Sequence, residues 1–335
     1  MLLKINWSYS FFFTLLICGS RVFGQSNAVQ HYVAAREYLK SNNNLLAKQE
    51  LDSAISINPN YADAHYMLGN ILAGEKSYLR AVGQFDQAIR INPNFLEAYL
   101  KRANLHYVLN DHKSYIIGDI DHAINLKPDS AEFYVKKAFY LAHTVNPLTL
   151  GPDYTAAIAE ISIAIRLKPE RADYYYLRSK YKFDANKKLS SLTDINKALT
   201  LDNARSKYFA HRGFIRFMIE DFRGSVGDYT KAIAIDADKS NFYESRAYAK
   251  YNLGNYGSAY NDYSSAIDLL ICQLTSKKGA ILAENPLNKE LRETLLLRGM
   301  TLVQDNKPYD GCDDFERAYQ MGEQKARNYI RRYCN

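Results

Sequence analysis

Nothing in this sequence spells out a catalytic site. It has no Gly-rich loop ending in Lys-Ser/Thr, no His-Glu-x-x-His, no Gly-x-Ser-x-Gly and no Cys-x-x-Cys. Phosphate cradles, zinc-protease sites, nucleophile elbows and thiol-redox pairs are therefore not written in it. Its densest histidine group, His106, His112 and His122, lacks the spacing of metal ligands, so no metal and no cofactor is expected. Dense Lys/Arg runs are missing too. The net charge is +7, of which Lys4 and Arg21 supply two, and the excess is diffuse. That gives slight support to an acidic partner and is not the footprint of a nucleic-acid binder. The apolar run Phe11–Cys18 falls far below the ~20 residues a membrane span needs.

What the chain does have is periodicity. The stretch Ala62–Pro93 holds two amphipathic helical patterns separated by a break around Gly74–Lys76. Leu68, Gly69 and Leu72 share one face of the first; Ala81, Phe85 and Ala88 share one face of the second. Pro93 stops the second helix, because proline disfavours a helical residue before it. Small residues on the buried faces let two backbones approach closely, which makes a tight antiparallel hairpin that needs neighbours of its own kind. The neighbours are present. The small residue of the first helix recurs as Ala35, Gly69, Ala103, Ala138, Ser179, Gly213, Ala247 and Gly299. The late alanine of the second recurs as Ala54, Ala88, Ala123, Ala164, Ala198, Ala232, Ala266 and Ala318. Between them run Leu51, Phe85, Ile120, Ile161, Ile195, Tyr229, Tyr263 and Phe315. All three ladders share a basic spacing of 34 residues, with a slip near 115 and insertions near 145–152 and 271–291.

On these ladders the chain resembles tetratricopeptide repeat (TPR) proteins, in particular exported bacterial arrays, over roughly residues 28–322. The departures are mild. The family's tryptophan position reads His31, His65, Tyr99, Tyr134, Tyr175, Phe209, Tyr243 and Leu295. The turn proline is kept as Pro59, Pro93, Pro128 and Pro169, then becomes Asn203 and Ala237. The resemblance implies an all-α solenoid of about eight antiparallel hairpins in a right-handed superhelix, whose first helices line an inner groove for protein or peptide partners. In that groove it would place Tyr66, Asn70, Lys101, Asn104, Lys136, Phe139, Tyr176, Lys180, Phe214 and Tyr248, together with Tyr107, Phe183, Phe217 and Tyr251. Aromatic rings give contact area at low entropy cost, and Asn and Lys can hold backbone or carboxylate oxygens. Several of the aromatics, Phe183 and Phe217 above all, can equally pack between adjacent hairpins. The family's clamp for a terminal carboxylate is matched only in part by Asn70, Lys101 and Lys136, since Tyr66 and Glu132 stand where it has lysines. A general polypeptide groove is expected instead.

The chain divides accordingly. Residues 1–24 read as an export signal, with Lys4, the apolar run and Val22-Phe23-Gly24 before a cut at Gln25. Residues 25–335 form the solenoid, with no membrane span, in the periplasm or secreted. Repeats are expected at about 28–61, 62–95, 96–130, 131–171, 172–205, 206–239, 240–273 and 292–322, with a loop at Thr144–Asp153. An irregular insert, 272–290, reads as a short helix ended by Pro286, and a capping helix covers 323–333. The cap offers Ala326, Tyr329 and Ile330 to the stack while Lys325, Arg327, Arg331 and Arg332 face out. Cys312 and Cys334 lie at neighbouring ends of an antiparallel pair, so a disulfide or two buried thiols fit equally there. Cys272 is left over.

One charged pairing repeats inside the hairpins. Arg102, Lys137, Arg178, Arg212, Arg246 and Arg298 on first helices face Asp119, Glu160, Asp194, Asp228, Asp262 and Asp314 on second helices. In the first two repeats the same positions pair Ala34 with Glu50 and Leu68 with Gln84. Repetition makes these seams structural. The expected function is an exported, non-catalytic protein-interaction scaffold. The alternative is a structural component of an envelope complex acting through its ends or convex face. An enzyme or carbohydrate module would need a compact acidic or histidine pocket, and the oligomeric state is not written in the sequence.

Overall fold

The computed structural model describes residues 27–144, 151–276 and 285–334. The chain forms two compact units, Met1–Leu167 and Lys168–Asn335. In the first, helix α1 (27–40) pairs with α2 (Asn44–Ile57), α3 (Ala62–Gly74) with α4 (Tyr78–Ile91), α5 (Leu96–Val108) with α6 (Lys113–Leu126), and α7 (Ala131–His143) with α8 (Tyr154–Leu167). In the second, α9 (Ala172–Asp184) pairs with α10 (Lys188–Leu201), α11 (Ser206–Met218) with α12 (Phe222–Ile235), and α13 (Ser240–Asn252) with α14 (Tyr256–Ser276). There α15 (Pro286–Gln304) runs through a short 3-10 turn into α16 (Cys312–Gln320), and α17 (Ala326–Tyr333) closes the unit. Each unit is an all-α solenoid in which consecutive helices pack on one another.

A left-handed residue ends the first helix of each hairpin whose turn is described in full. These are Asn42, Lys76, Asn110, Asn186, Glu220, Gly254 and Asn306, with φ between 56° and 76°. The next amide then donates back across the turn, as Asn43 N does to Tyr38 O at 2.8 Å and Ser77 N to Leu72 O at 2.8 Å. This caps carbonyls the helix leaves open, and Asn and Gly suit the conformation for that reason. Second helices end differently, on an extended residue: Asn58 and Asn92 before their prolines, and Asp202 and Asp236 without one. In all four the amide of that residue reaches the late alanine's carbonyl, so Asn203 and Ala237 replace proline without changing the turn.

The ladders are the core. Each late alanine, from Ala54 to Ala318, is buried, as are Leu51, Phe85, Ile120, Ile161, Ile195, Tyr229, Tyr263 and Phe315. The small residues meet the large ones edge to edge. A Cβ added to Gly69 would stand 2.7 Å from the Phe85 ring, and one on Gly213 3.1 Å from the Tyr229 ring. Close approach favours glycine at both sites.

The insert is organised differently from the expectation. Residues up to Ser276, Cys272 among them, prolong α14, and Pro286 begins α15 instead of ending a helix. Proline suits the first turn because its missing N–H is one the helix leaves unbonded there, and Asn285 caps the turn through its side chain to Leu287 N. The rest of the insert and most of the expected loop at Thr144–Asp153 lie outside the described residues, as does the expected export signal.

Candidate functional site

The seam between the helices of each hairpin consumes most of the buried charge. Arg102 pairs with Asp119, Arg178 with Asp194, Arg212 with Asp228, Arg246 with Asp262 and Arg298 with Asp314, each through two guanidinium nitrogens. Lys137 Nζ reaches Glu160 at 2.8 Å. The same cations also reach the preceding hairpin's second helix: Arg102 to Asp86, Lys137 to Asp121, Arg212 to Asn196, Arg246 to Thr230 and Arg298 to Ser264. They tie repeat to repeat as well as helix to helix. Burial opposes the Arg102 charge, yet its hydrogen bonds to Asp119 and Asp86 outweigh that and raise its pKa. A second cation one turn on joins some carboxylates: Lys182 at Asp194, Arg216 at Asp228 and Lys250 at Asp262.

In the first two hairpins the positions read as Ala34 and Leu68 supply no partner. Here His31 Nδ1 meets Glu50 at 2.6 Å and His65 Nδ1 meets Gln84 at 2.7 Å. The histidines stand in place of the family's tryptophan, one helical turn before the usual cation, and fill its role.

Outside the seams, several polar groups of α5 and α7 line one notch. A cavity of about 310 Å³ is lined by Tyr66 from α3, Glu97, Leu100, Lys101 and Asn104 from α5, and Lys136 from α7. Lys101, Asn104 and Lys136 are exposed, whereas Tyr66 is half-buried against Phe95, ring centroids 4.8 Å apart. Asn70 is turned into its own helix, donating to Tyr66 O at 3.0 Å. Phe139 is 38% exposed and lies outside the notch, stacked on His143 and edge-on to Tyr107. The notch combines an apolar floor with the ammonium and amide donors of Lys101, Lys136 and Asn104 and the carboxylate of Glu97, so it can hold a side chain together with backbone groups.

In the second unit the corresponding aromatics are committed to one another. Tyr176 packs on Tyr208 and His211, Phe183 on Phe214, and Phe217 on Tyr248. Burial raises the Tyr176 hydroxyl's pKa. Phe183, Phe217 and Tyr176 therefore pack between hairpins, while Phe214 and Tyr248 keep exposed edges and Lys180 is exposed. Beneath them Ser179 and Ser191 exchange hydrogen bonds with each other's carbonyls, and His211 Nε2 meets Ser179 Oγ at 3.1 Å. Burial, aided by Lys180, lowers the His211 pKa to about 4, which leaves a neutral imidazole in a packing network.

A second polar cluster joins α13 to α15. Thr294 Oγ1 is hydrogen-bonded to the Glu244 carboxyl, and also donates to Glu290 O at 2.8 Å. Ser240 Oγ donates to the Glu290 carboxylate at 2.8 Å. Burial, with Glu290 and Glu293 adding to it against the Thr294 hydrogen bond, raises the Glu244 pKa to about 7. Cys312 and Cys334 are disulfide-bonded with Cα atoms 5.7 Å apart, and Cys272 is free and exposed. No group of three or more His, Cys, Asp or Glu able to hold a metal occurs among the described residues. No helix among them is long and apolar enough to cross a membrane.

Residues 32–95 match the family model for the tetratricopeptide repeat. Solved structures with this fold include the C-terminal part of a TPR repeat-containing protein from Cytophaga hutchinsonii. It is 15% identical, covering 79% of this chain and 99% of that one, with a TM-score of 0.62. A tetratricopeptide repeat protein from Parabacteroides merdae is 13% identical over 81% of this chain and 99% of its own, with a TM-score of 0.55. PilW, described as a widely conserved type IV pilus biogenesis factor, is 16% identical over 70% and 98%, with a TM-score of 0.51. Identities this low carry the fold alone. No curated protein matches the sequence.

Proposed function

We propose that this tetratricopeptide-repeat protein is a non-catalytic interaction scaffold that holds an extended polypeptide along its first helices. The supporting observation is the notch of Tyr66, Leu100, Lys101, Asn104 and Lys136, which draws donors and apolar surface from three successive first helices. A chain laid across α3, α5 and α7 meets the Tyr66 ring on the first and amide or ammonium donors on the other two, which suits an extended backbone better than a compact ligand. Anchor residues at such a site cost on the order of 2 kcal/mol when truncated.

The test is a 12-residue peptide selected on the full chain from a random display pool, then titrated by fluorescence anisotropy. Asn104→Ala with Lys136→Ala should weaken it at least tenfold, about 1.4 kcal/mol. The thermal midpoint should not move, because both side chains are exposed. Failure to enrich any peptide, or unchanged binding by the double variant, overturns the reading.

Export belongs to the same proposal. Lys4, Phe11–Cys18 and Val22-Phe23-Gly24 have the layout of a cleaved leader, and the Cys312–Cys334 bond suits an oxidising compartment. The mature chain should begin at or near Gln25; an intact mass that retains Met1–Gly24 after export refutes this.

A further inference from the structure

The seam cations of the first helices each meet a carboxylate, and Lys101 and Lys136 line the notch; the cations of α17 belong to neither group. Lys325, Arg327, Arg331 and Arg332 are all exposed, and none forms an ion pair among the described residues. The helix dipole accounts for Arg331 and Arg332, which lie in the last turn where cations are favoured. It does not account for Lys325 and Arg327, which stand at the positive end of the same helix and are disfavoured there. An eight-residue helix is too short to hold itself. It is held by Ala326, Tyr329 and Ile330 packed into the Leu295–Phe315 cluster, with Tyr329 stacked on Phe315, and by the disulfide from Cys334 to Cys312. A covalent tie and an apolar face thus hold up a basic surface with no carboxylate partner among the described residues, Arg332 lying over the Tyr333 ring.

We propose that the outer face of α17 is a docking surface for an acidic polypeptide segment. The charge is complementary, and three of the four cations are arginines, whose planar forks pair with carboxylates through two hydrogen bonds each. A bilayer is a poorer fit, because interfacial helices insert an apolar face and that of α17 is already buried in the core. A nucleic acid is a poorer fit as well: eight residues span about 12 Å, and nucleic-acid binders commonly neutralise a longer run of phosphates. The surface shares no residue with the notch, so it stands or falls independently of the groove.

The experiment uses the oxidised full chain and three probes: a fluorescent 12-residue peptide of alternating Glu and Asp, phosphatidylglycerol vesicles, and a 20-nucleotide single-stranded DNA. The acidic peptide should bind most tightly, with affinity falling as salt rises. The combination Lys325→Gln, Arg327→Gln, Arg331→Gln and Arg332→Gln should weaken it at least tenfold. Lys187→Gln with Lys188→Gln, at the start of α10, should leave it unchanged. If the fourfold variant does not fold, Lys325→Gln with Arg327→Gln carries the test, with a loss of about threefold; removing cations from that helix end does not oppose the dipole. Equal binding by parent and charge variant overturns the proposal, as does equal loss in the Lys187 and Lys188 control. Tighter binding to vesicles or DNA than to the peptide, or no peptide binding by the parent, overturns it too.

Discussion

Glu244→Gln should flatten the pH dependence of stability between about pH 5 and pH 8. The Thr294 hydroxyl has one proton and two acceptors, the Glu290 carbonyl at 2.8 Å and the Glu244 carboxyl. When Thr294 donates to the carbonyl, the carboxyl must supply the other hydrogen, and no cation among the described residues favours its ionisation. Glu290 and Glu293 face it from α15, and Tyr263 faces it from α14. A carboxyl raised from 4.5 to about 7 binds its proton more tightly folded than unfolded. Stability from this group is therefore greatest at low pH, falls as pH rises from 4.5 through about 7, and is flat above that. At 1.36 kcal/mol per unit the fall is on the order of 3 kcal/mol. Glutamine keeps the hydrogen bond to Thr294 without the charge. Urea unfolding of parent and variant at pH 5 and pH 8 should show the variant's relative stability rising by that amount. Comparing differences removes His211, whose lowered pKa acts at the acid end in both proteins. Parallel profiles, with the same offset at both pH values, would refute the argument.

Two further predictions concern the seams. Gly213→Leu should cost about 1–3 kcal/mol more than Gly74→Leu, because an added Cβ meets the Tyr229 ring and Asp228 at the first site and nothing within 4 Å at the second; equal urea midpoints would mean the crossing point is wrong. Arg298→Ala should destabilise more than Arg212→Ala, by roughly 1 kcal/mol or more. Asp314 has Arg298 as its cation, whereas Asp228 keeps Arg216 at 2.8 Å when Arg212 is removed. Thermal midpoints in the reverse order would show that the second cation contributes nothing.

Much of this was readable from spacing alone, since a small residue, a large one and an alanine at fixed intervals describe two helices in contact wherever they recur. Seam pairs followed from the same register. What the register missed came from neighbours one turn away. His31 and His65 occupy the tryptophan position, yet each lies three residues before the empty seam position and reaches across. Lys182, Arg216 and Lys250 stand four residues after their arginines, a spacing that places them on one helix face. Pro286 was misread because proline both ends helices and begins them; Asn285 before it was the signal for a beginning. Glu244 could have been found by ladder logic. It stands three residues before Ala247, where Tyr66 and Leu100 stand before Gly69 and Ala103. A carboxyl at an apolar position flags a special environment, but its charged neighbours come from α15 and only the fold supplies them. The fate of the aromatics was also illegible, because whether Tyr176 binds or packs depends on Tyr208 and His211 of the next hairpin.

The register also bears on where a partner would find its polar anchor. The residue just before each seam cation lies about 100° around the helix from it, outside the pair. In order these residues are Lys101, Lys136, Leu177, His211, Ser245 and Leu297. The cations among them are Lys101 and Lys136, both exposed and both lining the notch, while His211 is held neutral in the Ser179–Ser191 network. The residue after the small ladder position changes from Asn70 and Asn104 to Phe139, then to Lys180, Phe214 and Tyr248. Exposed donors stand on α5 and α7 and, as Lys180, on α9; exposed ring edges stand on α7, α11 and α13. A polypeptide held on α5 and α7 would present acceptor-rich groups, and one held on α11 and α13 apolar side chains. Asn104→Ala with Lys136→Ala should then reduce the salt dependence of binding, whereas Phe214→Ala with Tyr248→Ala should weaken it equally at all salt concentrations, since buried apolar contacts are not screened. Equal salt slopes in parent and both variants would leave the division between donors and rings with no bearing on recognition.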